Sequence, residues 1–169
     1  MAKTEFVSDI EGIRKRARQN IENGAVTQGY TADKETVVKV LNDALATELV
    51  CVLRYKFHHL MAKGINSEPV AAEFLEHANE EQMHADRIAT RIVQLGGVPD
   101  LNPETIMKRS HSQYTQGNSL IEMIKEDLVA ERIAIDTYRD IIKFLGQDDS
   151  TSRRLMEEIL EKEEEHADI

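Results

Sequence analysis

Glu-x-x-His occurs twice in this chain, as Glu81-Gln82-Met83-His84 and as Glu163-Glu164-Glu165-His166, each inside a strong helical pattern. Each copy follows a lone Glu that interrupts an apolar stripe. Glu48 precedes Glu81 by 33 residues, and Glu131 precedes Glu163 by 32. Residues three apart on a helix share a face, so each pair aims a carboxylate and an imidazole in one direction. The stripes put that direction toward a core. Buried carboxylates without compensation are costly, and two divalent cations would balance four of them. A repeated helix pair built around metal satisfies this pattern.

Five helical segments follow from the periodicity. The first runs from about Ser8 to Asn23, with Ser8 and Glu11 as a capping box, Ile10, Ile13, Ala17 and Ile21 as its stripe, and Gly24 as its stop. The basic residues Arg14, Lys15, Arg16 and Arg18 read as a solvated face. The second segment spans about Thr31 to Lys63 with the stripe Val37, Leu41, Ala44, Glu48, Val52, Tyr55 and His59. The third starts near Ser67, carries Val70, Phe74, His77, Glu81, His84, Ile88 and Leu95, and ends at Gly96-Gly97. A polar connection from Gly97 to Asn118 follows, with a short helix expected over 103–110. It is longer than adjacent antiparallel helices need and long enough to cross a bundle end to end.

The fourth segment opens on the capping box Ser119-x-x-Glu122 and carries Ile121, Ile124, Leu128, Glu131, Ile135, Tyr138, Ile142 and Leu145. The fifth begins near Asp149 and carries Leu155, Ile159, Glu163 and His166. The resulting expectation is all-α: a ferritin-like four-helix bundle over 31–169, with one long crossover and an N-terminal helical extension over 1–30.

Composition removes several alternatives. A net charge of −10 opposes a general nucleic-acid surface. The single cysteine, Cys51, permits neither an intrachain disulfide nor a cysteine-based zinc site, and it reads as a small core residue. No signal-type apolar core or run of about 18 apolar residues is present, so a cytoplasmic protein without a membrane span is expected.

The donor inventory is four carboxylates and two imidazoles. It suffices for two metals, each with one His and one terminal Glu, bridged by the Glu residues of the two Glu-x-x-His pairs. Oxygen-rich ligation with some imidazole suits iron or manganese, with zinc as a further substitute. Tyr55 and Tyr138 each lie seven positions after a lone Glu, on the same face. A buried Tyr needs a partner for its hydroxyl, which a ligand carboxylate across the bundle or a backbone carbonyl would supply. Glu76, Glu80, Glu161, Glu164 and Glu165 read as solvated helix charge, and His58, His59 and His111 as structural or exposed.

Glu48, Glu81-x-x-His84, Glu131 and Glu163-x-x-His166, with Tyr55 beside them, resemble the ferritin-like di-iron family, most closely bacterioferritin-type proteins. The closing stretch Arg91 to Pro99 is similar as well. The resemblance implies a ferroxidase centre: Fe(II) oxidised by dioxygen or hydrogen peroxide, and the ferric product stored inside a hollow homo-oligomeric shell. Glu48 and Glu131 would be terminal ligands, Glu81 and Glu163 would bridge, and His84 and His166 would each bind one iron. Haem is not expected, because the Met used for it in that family would stand where this chain has Gln82. Met83 is one helical step away and reads as packing. A shell of twelve subunits, as in miniferritins, is as compatible as one of twenty-four.

The rival readings are a non-storage di-metal peroxidase or oxidase on the same bundle and a DNA-protecting miniferritin. The first usually adds paired cysteines, which this chain lacks. The second uses ligands from two subunits, whereas all six here can come from one. A purely structural bundle would leave four acidic groups uncompensated in an apolar stripe.

Overall fold

A computed structural model of the chain describes residues 6–65 and 67–168. Among them are six α-helices, one 3₁₀ turn and no strand. They are α1 (Ile10–Ala17), α2 (Lys34–Met61), α3 (Ser67–Gln94), α4 (Pro103–Arg109), α5 (Leu120–Leu145) and α6 (Ser150–Ala167). Helices α2 and α3 form one hairpin, α5 and α6 a second, and α2 faces α5 while α3 faces α6. At about 1.5 Å per residue, α2 and α3, of 28 residues each, run roughly 42 Å. This is a ferritin-like helical bundle with its crossover between α3 and α5.

Local chemistry places the helix ends. Gly96 takes a left-handed φ of 74°, its N–H meets Val93 O, and the Gly97 N–H meets Ile92 O, which closes α3 in a Schellman turn. A Cβ at Gly97 would stand 2.7 Å from Val38 Cγ1, so this corner also needs glycine for contact with α2. Ser119 Oγ accepts the Glu122 N–H at 3.2 Å and opens α5. Asp149 caps α6 by accepting from the Ser152 N–H at 2.9 Å.

The first segment differs from its expected form. Helix α1 is shorter than Ser8–Asn23, and its N-cap is Asp9, which accepts from the Gly12 N–H. The carboxylate is the stronger acceptor and displaces Ser8 from that role. No residue of α1 is buried, and Ile21–Asn23 form a separate 3₁₀ turn after Asn20 adopts φ 51°. Val26 and Tyr30, partly buried, pack against the core of the bundle.

Helix α2 is buried on more than one face, because the crossover lies along it. Arg109 donates to Asn42 O at 2.6 Å, Asn42 donates to Val98 O, and the Asp100 N–H donates to Asn42 Oδ1. Farther along, fully buried Arg54 donates to Gln113 O at 2.7 Å, to Glu126 O and to Asp127. His58 is buried too, between Asp127 Oδ2 at 2.7 Å and Thr115 O at 3.0 Å. Both His58 and His59 therefore have structural partners, the latter at Ala71 O. His111 meets Thr137 Oγ1 at 2.9 Å.

The first half of α5 is turned relative to its expected stripe. Ile121, Ile124 and Leu128 are exposed, while Met123 and Asp127 are buried. The ion pair of Asp127 with Arg54 and its bond to His58 decide that rotation, since an apolar residue there would strand both bases. Asp127→Ala should cost about 3–5 kcal/mol, the usual penalty for orphaning a buried charge, read as a lower thermal midpoint; an unchanged midpoint contradicts this role.

Asp149 joins three elements: Tyr30 donates to it at 2.8 Å, Arg91 pairs with it at 3.0 Å, and it caps α6. Burial opposes its charge, but the Ser152 hydroxyl and N–H, Tyr30 and Arg91 together hold its carboxyl below the ordinary range. A depressed carboxyl lends stability that is present above the unfolded pKa and lost as pH falls through the folded one. Asp149→Asn should therefore be less stable at neutral pH by about 1–3 kcal/mol. The gap should close on acidification below about pH 4, as followed by thermal melts across pH.

Candidate metal centre

Glu48, Glu81 and Glu131 lie midway along α2, α3 and α5, and Glu163 lies near the end of α6. All four are 1–3% exposed, and His84 and His166 are 5% exposed. The three-residue spacing puts His84 on the face of Glu81 and His166 on that of Glu163. His84 Nδ1 lies 3.1 Å from Glu163, 3.4 Å from Glu48 and 3.8 Å from Glu81. His166 Nδ1 lies 3.3 Å from Glu81, 3.8 Å from Glu131 and 3.9 Å from Glu163.

These side chains form two sets whose ligand atoms lie within 4.8 Å of one another. One set is Glu48, Glu81, His84 and Glu163; the other is Glu81, Glu131, Glu163 and His166. Glu81 and Glu163 belong to both. The donor set therefore has two positions with a shared pair of carboxylates between them.

Among the described residues, nine buried side-chain atoms have no hydrogen-bond partner, and six belong to this group: Glu48 Oε2, Glu81 Oε1, His84 Nδ1, Glu131 Oε2, Glu163 Oε1 and His166 Nδ1. Each of the six residues contributes one. Buried polar atoms normally find partners, so a convergent set of four carboxylate oxygens and two imidazole nitrogens fits divalent cations.

The tyrosines cross-link the halves. Tyr55 of α2 donates to Glu131 Oε1 on α5, and Tyr138 of α5 donates to Glu48 Oε1 on α2. Each phenol takes one oxygen and leaves the other facing the centre, a bond that orients a ligand carboxylate.

Charge sharing in the cation-free centre follows from the same contacts. Burial, then the negative charge of Glu81, pushes Glu48 and Glu163 well above the ordinary carboxylate range. Burial opposes charge on Glu81 as well, but the close approach of Glu48, His166 and His84 outweighs it and holds Glu81 low. Burial would lower both imidazoles; the nearby carboxylates of Glu163 and Glu81 instead raise His84 to about 9, and those of Glu131 and Glu81 raise His166 to about 11. Burial and the neighbouring Glu131 push the Tyr55 phenol up, so it remains a donor. Protons thus supply part of the positive charge that cations would bring.

Three further groups touch or approach this centre. Glu80, partly exposed, reaches across from α3 to His166 Nε2. His77 stacks on His166 with ring centroids 4.0 Å apart and meets Tyr55 edge-on at 5.1 Å. Helical spacing reads Glu80 as solvated charge and His77 as a core residue or a neighbour of the ligands. The signal that finds them is a comparison of the two halves of the sequence, where Lys162 and Ile159 occupy the corresponding places. Cys51 is buried, and burial raises its thiol pKa. Met83 is 56% exposed rather than packed, and Gln82 bonds to Asp86.

Glu131→Gln keeps an acceptor for Tyr55 while removing one buried charge. The variant should gain less stability than wild type from added Zn(II), read as a smaller rise in thermal midpoint. An equal rise in both proteins would contradict Glu131 as a ligand.

Known proteins share this fold. A family model described as a ferritin-like domain matches residues 38–169. The bacterioferritin of Brucella melitensis biotype 1 is 33% identical over 136 residues, covering 79% of each chain. That of Desulfovibrio desulfuricans is 30% identical over 134 residues, covering 79% of this chain and 71% of the relative. The dodecameric thioferritin of Bacteroides fragilis, a bacterioferritin-related protein, superposes with a TM-score of 0.78 at 33% identity, over 83% of this chain and 84% of that one. Dps from Staphylococcus aureus, at 23% identity and a TM-score of 0.77 over 81% of this chain and 93% of its own, shares the fold.

Proposed function

This chain belongs to the ferritin-like domain family, and on that footing we propose that it oxidises Fe(II) at a di-iron centre within one subunit and stores the ferric product in a hollow homo-oligomeric shell. The observation that carries this reading is the pair of four-ligand sets sharing Glu81 and Glu163. Glu48 and Glu131 serve as terminal ligands, Glu81 and Glu163 as bridges, and His84 and His166 as one imidazole for each iron. Tyr55 and Tyr138 hold the terminal carboxylates in place. Fe(II) is the substrate: two ions supply the two electrons that, with two protons, reduce hydrogen peroxide to water or dioxygen to hydrogen peroxide. Holding both ions between shared carboxylates lets one oxidant draw on the pair.

The similarity to a dodecameric thioferritin favours a shell of twelve subunits. Exposed Leu53 and Leu60, two turns apart on α2, offer apolar surface for contacts between subunits. Among the described residues no helix is long and apolar enough to cross a membrane.

Anaerobic loading with Fe(II), followed by dioxygen or hydrogen peroxide, tests the storage reading. Ferric mineral should grow well beyond two irons per chain; turnover that stops at two irons indicates a di-metal oxidase or peroxidase instead. Glu131→Ala should slow the fast oxidation phase by at least about 100-fold, a loss of roughly 2.7 kcal/mol in the barrier, with helicity and oligomer size unchanged. Wild-type rates in that variant would contradict the ligand assignment.

A further inference from the structure

We infer that the two cation positions are unequal, with Glu80 making the Glu131–His166 position the tighter of the two. This rests on the di-metal reading and concerns how its halves differ. The chain repeats itself around the centre: α2 with α3 corresponds to α5 with α6. Glu48 then corresponds to Glu131, Tyr55 to Tyr138, Glu81 to Glu163 and His84 to His166. In that register the Glu80 position is occupied by Lys162 and the His77 position by Ile159.

The substitution at the first of these positions changes what lies behind the imidazole. His166 turns Nδ1 toward Glu81, Glu131 and Glu163, and its Nε2 meets Glu80. A ligand imidazole whose outer N–H donates to a carboxylate is fixed in tautomer and orientation and is made more basic, which tightens its metal bond. His84 has no such carboxylate among the described residues. Among the described residues its carboxylate neighbours are Glu48, Glu81 and Glu163, and it meets all of them through Nδ1. Lys162 can only donate, and it pairs with Glu165.

The substitution at the second position acts through packing. The His77 ring lies nearly parallel to His166, at 18°, and nearly perpendicular to Tyr55, at 87°. It therefore contacts both the imidazole of this half and the phenol that holds Glu131. His77 also brings a ring nitrogen within 4.8 Å of ligand atoms of Glu131 and His166, so this half of the centre has a further imidazole beside it. Ile159, its counterpart, is an apolar member of the core that includes Tyr138. One half of the centre is thus backed by a carboxylate and an imidazole, and the other by a lysine and a hydrocarbon side chain.

Calorimetric titration of the assembled, full-length protein with Zn(II) reads this difference without oxidation chemistry. Wild type should bind two Zn(II) per chain in two steps separated by about tenfold or more. Glu80→Gln keeps a hydrogen-bond acceptor but loses the charge, and should weaken the tighter step by about 10–100-fold while leaving the weaker one. Lys162→Glu, at a half-exposed site, places a carboxylate in the counterpart position and should tighten the weaker step. Two indistinguishable steps in wild type, or equal weakening of both steps by Glu80→Gln, would overturn the inference and leave the di-metal reading standing. Absence of Zn(II) binding in wild type would instead remove the di-metal reading itself.

Discussion

Electrostatic repulsion among Glu48, Glu81, Glu131 and Glu163, all buried where the four long helices meet, is the interaction against which the rest of the bundle is arranged. Apolar residues at these places would stabilise the helices at lower cost. With two divalent cations the formal balance is met: four negative charges face four positive ones, and both imidazoles can remain neutral ligands. Without cations the balance is partial, and protons on the histidines and on Glu48 or Glu163 stand in. Stability and cation occupancy are therefore coupled in this fold.

Holding such a centre requires rigid surroundings. The tyrosines provide the nearest support, each spanning from one hairpin to a carboxylate on the other. Farther out, Arg54, Asp127 and His58 lock α2 to α5 and bind the crossover at Gln113 and Thr115. The crossover covers α2, which explains why that helix is buried so broadly. At the opposite end of α2, Asp149 joins Tyr30, Arg91 and the start of α6. Polar clamps thus close the structure on either side of the carboxylates.

Much of this was legible in the sequence because it depended on helical spacing. A Glu and a His three residues apart must share a face, and two copies with matching lone Glu residues define a repeated hairpin. Glycine and capping residues marked the ends of α3 and α5 for equally local reasons. What spacing could not reveal was set by contacts across helices. Nothing in the spacing marks Arg54 until Asp127 is placed beside it, and Asp127 in turn rotates the start of α5. Glu80 reads as solvated charge because it is one helical step from Glu81, yet its side chain spans to α6. His77 fits an apolar stripe whether it packs against a ligand or against leucine.

The most direct measurement is the anomalous scattering of crystals of this protein soaked anaerobically with excess Fe(II). Two peaks should appear between α2, α3, α5 and α6, separated by about 3.5–4 Å as in two-metal sites, with Glu81 and Glu163 touching both and Glu48–His84 and Glu131–His166 divided between them. A single peak, peaks only at the acidic surface, or carboxylates turned away from an empty centre would contradict a pair of cations as the partner of these buried charges.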